Sequence, residues 1–389
     1  MSHPNKPDVV VKTRSLCPEV RERDALRLIA ELESAKLSAL EESLKTLQAA
    51  VDRAEGHEER QWQDWLEEYS KTGKKEDGYR AVASAPFMDD VPDVVRRKIL
   101  ENVPGTKDEA WVAMKTLPLS RSQRRKLMNR ERWVVHLFAG GEKRGDPLHH
   151  LEDSDTAVLE IDVTRSKAWD LTREDGAFRV LLWGACQGRV VAVVGGPPCR
   201  TFSLLRHREK PGAPTPVRSP QHLWGLPELS GQERSLVDGD SLLMCRMAWL
   251  WMVADCNADK KVDFFMEHPQ SPRRWLKDKE LAAVAPSVWE SSLMAALEEQ
   301  GMREYHFDQG ALGHPQRKPT TVMTTLYIPE LVDAKDERTE WPTPPTSSSM
   351  AAWAPGLRRA LFLALEAKTE RFVRKLLTPK EVEAWKAHV

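Results

Sequence analysis

Between Trp133 and Ile328 the chain alternates short apolar runs with helical stretches, and no other feature restricts its fold as much. The runs are WVVHLF (133–138), AVLEID (157–162), RVVAVV (189–194), VDFFME (262–267), YHFD (305–308) and TVMTTLYI (321–328). Helical patterns lie near 172–186, 238–255 and 287–300. Runs that are continuously apolar, not alternating, mark strands covered on both faces. Such strands separated by helices predict an α/β fold, a Rossmann-like, mostly parallel, doubly wound sheet. A Pro/Gly-rich stretch at about 204–232 interrupts the pattern, and ordered loops of that length are often functional.

The flanks divide into a polar tail over 1–17, a long helix over 18–70, a linker (to about 90) with short helices over 71–131, the α/β domain over 132–330, and a linker with helices over 331–389. Leu37, Leu40, Leu44, Leu47, Val51 and Ala54 follow a 3-4-3-4-3 spacing. This pattern suits a helix packed on its own domain or a homo-oligomer formed through 37–54. The run SRSQRRKLMNRER gathers Arg121, Arg124, Arg125, Lys126, Arg130 and Arg132, either a solvated face or a surface for phosphates. With 58 basic and 59 acidic residues the formal charge is −1, so any nucleic-acid surface is local. No apolar run reaches the ~18 residues of a membrane span, and the N-terminus lacks the apolar core of a secretory signal. Cys17, Cys186, Cys199, Cys245 and Cys256 have no CxxC spacing. They read as reduced thiols of an intracellular protein, with neither a disulfide framework nor a metal site.

In an open α/β sheet the ligand crevice lies beyond the C-terminal ends of the strands. The first run ends Phe138-Ala139-Gly140-Gly141, small residues that let backbone approach a ligand closely. The second ends with Glu160 and Asp162, and Glu160 follows Phe138 by 22 residues. An acidic residue near that distance is where nucleotide-type cofactors have their ribose held. The third run enters Gly195-Gly196-Pro197-Pro198-Cys199-Arg200-Thr201-Phe202-Ser203. Its prolines fix φ and stiffen the loop that carries the cysteine. Arg200, Arg206 and Arg208 nearby would favour the thiolate. The fourth run ends Glu267-His268-Pro269, a carboxyl placed to hold a proton on a ring nitrogen.

In this order the motifs resemble those of DNA cytosine-5 methyltransferases, over about 133–328. GGPPCRTFS is similar to the family's proline-cysteine loop and HLFAGG to its cofactor-binding first motif. MEHP stands where the glutamate motif falls, and FDQGALGHPQRKPTTV resembles the segment lying near the flipped base and the DNA backbone. The resemblance implies an S-adenosylmethionine-dependent methyltransferase fold with Cys199 as nucleophile and Glu267 on the cytosine N3 edge. Arg317 would act beside them. Phe138, Ala139, Gly140, Gly141, Glu160, Asp162 and Pro197 would hold the cofactor. Arg200, Ser203, Gln316 and Lys318 would meet nucleic acid, DNA first and RNA second, with Arg124 and Arg125 as outlying phosphate contacts. A DNA substrate implies a nuclear setting.

The chain also departs from the family. His268-Pro269 replaces Asn-Val, Arg200 replaces an amide, and Lys318 and Thr320 replace arginines. Only 61 residues follow Ile328 (389 − 328), too few for a full target-recognition domain, although the segment Trp353–Arg359 suits a closing element. The texture also resembles methylase-like segments of retroelement polyproteins. A second reading is therefore a catalytically silent module of that origin that binds nucleic acid or protein.

Overall fold

A computed structural model of the chain describes residues 61–142, 146–208, 214–338, 340 and 350–376, with side chains as far as 367, and scattered helical residues between 26 and 40. Internal contacts separate the chain into two units, Met1–Arg60 and Gln61–Val389. In the first, the helical Leu26, Leu32, Leu37 and Leu40 are exposed. Leu44, Leu47, Val51 and Ala54, the tail over 1–17 and the Pro/Ser stretch 342–349 lie outside the described residues.

The second unit opens with helices α1 (Trp62–Thr72), α2 (Lys75–Ser84), α3 (Asp93–Ile99), α4 (Lys107–Met114) and α5 (Arg121–Asn129). Part of the stretch expected to be a linker is thus helix α2. It turns back on α1 through Gly73, whose φ of 66° is the left-handed cap that glycine adopts cheaply. What holds so polar a helix is burial of Ala81 and Val82, together with Gly78, where a Cβ would stand 2.8 Å from the Tyr69 ring. The Ser120 hydroxyl and the Gln123 side chain form a capping box that starts α5.

Six strands then form one sheet: β1 (Arg132–Leu137), β2 (Thr156–Ile161), β3 (Val190–Gly195), β4 (Asp263–Pro269), β5 (Arg303–Asp308) and β6 (Pro319–Thr324), in the order β2-β1-β3-β4-β6-β5. The first four pair in parallel. Strand β6 runs antiparallel to both β4 and β5, so the sheet is mixed, with one strand reversed. The last expected strand also ends early. The Thr324 hydroxyl donates to the Phe264 carbonyl at 2.5 Å and the chain leaves the ladder there.

Alternate residues feed two separate cores, as both-face burial requires. On one face Trp133, Val135, Val193, Phe264 and Met266 pack with α6 (Ala177–Cys186) and α7 (Gly231–Asn257). On the other Val134, Ala192, Val194, Phe265 and Val322 pack with the start of α11 (Pro355–Leu376). Three short helices, α8 (Pro272–Trp275), α9 (Lys279–Val284) and α10 (Ser292–Glu299), lie between β4 and β5 in the chain. The N-terminal helices join the first core through a buried ion pair. Arg246 of α7 reaches Glu101 at 2.9 Å and the carbonyls of Lys98 and Leu171, over the Phe178 ring. No described helix is long and apolar enough to cross a membrane.

Two helical glycines differ in a way that tests the first core. A Cβ at Gly184 would stand 2.3 Å from the Trp133 ring, whereas one at Gly239 meets nothing within 4 Å. Gly184→Ala is expected to lose about 1–3 kcal/mol by overpacking, despite the higher helix propensity of alanine. Gly239→Ala should gain roughly 0.5–1 kcal/mol. Urea unfolding of the two variants measures both changes, and equal stabilities would contradict the packing described.

Candidate active site

Strand β1 lies between β2 and β3, so the chain leaves it on one side for β2 and crosses to the other for β3. In such a sheet a ligand crevice is expected where the order reverses, beyond the C-terminal ends of β1 and β3. The glycine-bearing turn, the cysteine loop and the Glu267 end of β4 all meet there.

On the β1–β2 side, Phe138 takes φ 58°, a left-handed conformation that costs a bulky residue energy and turns the chain sharply off the strand. Gly140 follows at φ 74°, and its N–H donates to Asp162 at 2.9 Å. A Cβ on Gly140 or Gly141 would meet no described atom within 4 Å, so this side of the turn is open. Glu160 sits opposite His136 in the parallel ladder. Its Oε2 accepts from Arg165 at 2.6 Å and lies 2.7 Å from His149 Nε2. Burial pushes this carboxyl up, but the Arg165 and His149 contacts outweigh it and hold the group below its usual range. Its Oε1 has no hydrogen-bond partner and lies 3.9 Å from His136 Nδ1, which also has none. Burial lowers the His136 imidazole to about 4, so it is neutral at pH 7. Arg165 also donates to the carbonyls of Gly140, at 2.7 Å, and Gly141, at 3.4 Å. One guanidinium thus fastens the turn to the carboxylate of the next strand.

On the β3–β4 side, Gly195 pairs with Met266, which brings Gly196 beside Glu267. A Cβ at Gly196 would stand 2.8 Å from Glu267 Oε2, so only glycine fits there without displacement. The carboxylate is buried, 6% exposed, and needs donors to offset its lost hydration. Oε1 accepts from Gln309 at 2.9 Å and pairs with Lys318 at 3.3 Å, while Oε2 accepts from the Trp353 indole at 3.1 Å. Gln309 is pinned in turn, donating to Thr320 and accepting from the Ala354 N–H at 2.8 Å.

Cys199 is half-buried on the loop between Pro198 and Arg200. Its thiol is pushed up to about 11, first by burial and then by the negative Glu267, with Lys318 opposing. The expected activation by arginines does not occur in this arrangement. Arg200 is bound to the buried Asp240 at 2.9 Å, and Arg206 to the carbonyls of Arg200 and Thr215. The loop itself is firmly anchored. Thr201 donates to Asp240 at 3.1 Å, and the Phe202 ring lies under Arg218 and edge-on to His268. Burial lowers His268 to about 3.

Cys199, Glu267 and Pro197 thus lie at the ends of β3 and β4, and Phe138, Ala139, Gly140, Gly141, Glu160 and Asp162 at the ends of the adjoining β1 and β2. Ser203 caps a 3-10 turn just beyond the cysteine, its hydroxyl accepting from the Leu205 N–H. Other expectations are not met. Lys318 is 6% exposed and serves as an internal counterion, with its ammonium on Glu267 and the Ala352 carbonyl, so it is not placed for a phosphate. Gln316 is buried beside His314, and the glutamine on Glu267 is instead Gln309. Arg317 is half-exposed, held by Asp308 at 3.2 Å and lying over the Trp275 ring. Arg124 and Arg125 lie on α5, which leads into the N-terminal end of β1, across the sheet from the crevice. Arg124 is half-buried and donates to the Leu119 carbonyl. Gln309, Arg165 and Asp240 were not foreseen, and Trp353 was read only as the start of a closing element. A glutamine immediately after a strand end, in FDQG, was the available signal for the first.

No family model and no curated protein matches this chain. Among the described residues no group of three or more His, Cys, Asp or Glu is placed to hold a metal ion.

The raised thiol makes a direct prediction. Alkylation of Cys199 by iodoacetamide, followed by mass spectrometry, should accelerate with pH toward a midpoint of about 11. Glu267→Gln removes the negative charge and leaves the Lys318 ammonium unopposed, so the midpoint should fall. An unmoved midpoint would show that the two groups do not sense each other.

Proposed function

We propose that the crevice transfers a methyl group from S-adenosylmethionine to C5 of a cytosine in DNA. The observation that carries this reading is the Cys199 thiol and the buried Glu267 carboxylate on neighbouring strand ends, with Gly196 leaving room for the carboxylate against the loop. A nucleophile and a proton-holding carboxyl at one pocket are what covalent addition to a pyrimidine needs.

In this reading the target cytosine is turned out of the duplex to reach the pocket. Cys199 Sγ adds to C6 while its proton passes, through solvent, to N3, where the Glu267 carboxylate accepts the N3–H and steadies the electron-rich ring. C5 would then take the methyl group from the cofactor, which leaves as S-adenosylhomocysteine. Loss of the C5 proton to solvent restores the double bond and expels Cys199, which regains a proton as N3 gives up its own. The residues fit such a cofactor: the Gly140–Gly141 turn is open on its Cβ side, and Glu160 Oε1 has an unused acceptor site. Phe138, Ala139, Asp162 and Pro197 would complete its walls. Arg317 is the cation of its motif with exposure enough to meet a phosphate. The DNA substrate implies a nuclear setting.

One observation favours the second reading, a silent methylase-like module that binds nucleic acid or protein. Arg165 already occupies Glu160 Oε2 and the carbonyls of the glycine turn. A ribose seeking both carboxylate oxygens would compete with it.

The deciding experiment incubates the protein with tritiated S-adenosylmethionine and duplex DNA containing 5-fluorocytosine, which blocks the final elimination. A covalent adduct is expected, dependent on cofactor and lost in Cys199→Ser. No adduct and no cofactor binding would sink the methyl-transfer reading in favour of the silent module. Arg165→Ala, which frees the carboxylate, should tighten cofactor binding if the arginine competes for Glu160.

A further inference from the structure

We infer that Trp353 is a positioning residue for Glu267, and that the C-terminal segment thereby completes the reaction site. The inference rests on the methyl-transfer reading above and adds to it a specific role for one residue of the C-terminal segment.

The indole N–H of Trp353 donates to Glu267 Oε2 at 3.1 Å, in a setting where the indole is 8% and the carboxylate 6% exposed. A hydrogen bond to a buried charge is both stronger than a neutral one and directional. The remaining oxygen, Oε1, is taken by Gln309 and Lys318. Both partners are themselves tied to the same C-terminal segment: Gln309 accepts from the Ala354 N–H at 2.8 Å, and Lys318 donates to the Ala352 carbonyl at 3.1 Å. Three consecutive residues, Ala352, Trp353 and Ala354, thus act on one carboxylate, one directly and two through its other partners.

The indole is fixed as firmly as the group it holds. Its ring stacks on His136 at 5.3 Å with an interplanar angle of 28°, and meets Phe265 edge-on at 5.5 Å. His136 faces Glu160 on the cofactor side. Trp353 is therefore a wall common to the glycine-turn side and the carboxylate side of the crevice. A latch just beyond it keeps the segment in place, because Arg358 pairs with Asp146, and both are buried. The segment is held at Gly356 as well, where a Cβ would stand 2.7 Å from the Leu312 carbonyl.

Trp353→Phe removes the N–H and keeps a ring against His136 and Phe265, and Gln309→Met removes the amide from the other oxygen. Each is compared with wild type in steady-state methylation of cytosine-containing duplex DNA, after the 5-fluorocytosine adduct has been sought in the wild-type chain. Loss of a charge-directed donor should lower kcat roughly 10- to 100-fold in each variant. The KM for DNA and the KM for cofactor should stay near wild type, while the melting temperature falls by what an unserved buried carboxylate costs. A merely structural indole would lower stability in the same way and leave kcat in place. Full kcat in both variants of an active chain overturns the positioning role and leaves the methyl-transfer reading standing. A wild-type chain that neither forms the adduct nor methylates overturns both, so the two failures are distinguishable.

Discussion

The carboxylate of Glu267, buried at the end of β4, dictates more of its surroundings than any other group in the crevice. Removing a charge from water costs several kcal/mol unless donors replace its hydration. That requirement accounts for the amide at 309, the ammonium at 318, the indole at 353 and the missing side chain at 196. It also explains why the reversed strand β6 belongs where it does. Pairing beside β4, β6 carries Thr320 up to the carboxylate end of the sheet, with Lys318 just before β6 begins. The C-terminal helix begins against the same point.

The price of this arrangement falls on the neighbouring thiol. A buried anion on the neighbouring strand opposes a second negative charge, and the nearby lysine only partly offsets it. The arginines that might have compensated are committed elsewhere, Arg200 to Asp240 and Arg206 to main-chain carbonyls. Cys199 thus rests as a thiol. In the reaction proposed, its conversion to a nucleophile would depend on what the site becomes when a base fills it, because a ring that takes up charge alters the field in which the proton is lost. The closed hydrogen-bonding of the crevice and the chemistry proposed for it are compatible on that condition.

Much of the sheet was legible because burial on both faces writes itself into composition. All six apolar runs became strands. Strand direction leaves no such mark, so the reversal of β6 was not visible. Helix α7 starts at Gly231 inside what looked like loop, although Ser230 and Glu233 form a capping box that the sequence displays openly. Helix α2 was hidden by its polarity, since its stability comes from the packing of Tyr69 into the space left by Gly78. In the crevice, Cys199 and Glu267 were legible from their motifs. Their supports were not, because Gln309 and Trp353 lie 42 and 86 residues from Glu267 along the chain. Lys318 was read as an outward cation because nothing local reveals that its ammonium turns inward.

The Arg246–Glu101 pair bears on where this protein can be cut. The change of texture near Arg132 invites an excision there, as though an autonomous catalytic fragment began with β1. Such a fragment would lose Glu101 and the Lys98 carbonyl while keeping Arg246 on the central helix, its guanidinium left beside Phe178 with the Leu171 and Arg173 carbonyls but no counterion. An unpaired buried cation destabilises a fold far more than the intact pair stabilises it. The helices from α1 onward are therefore not an accessory appended to the α/β unit. They bury their apolar residues in the same core, and a portion of the chain that keeps this ion pair intact has to reach back through them.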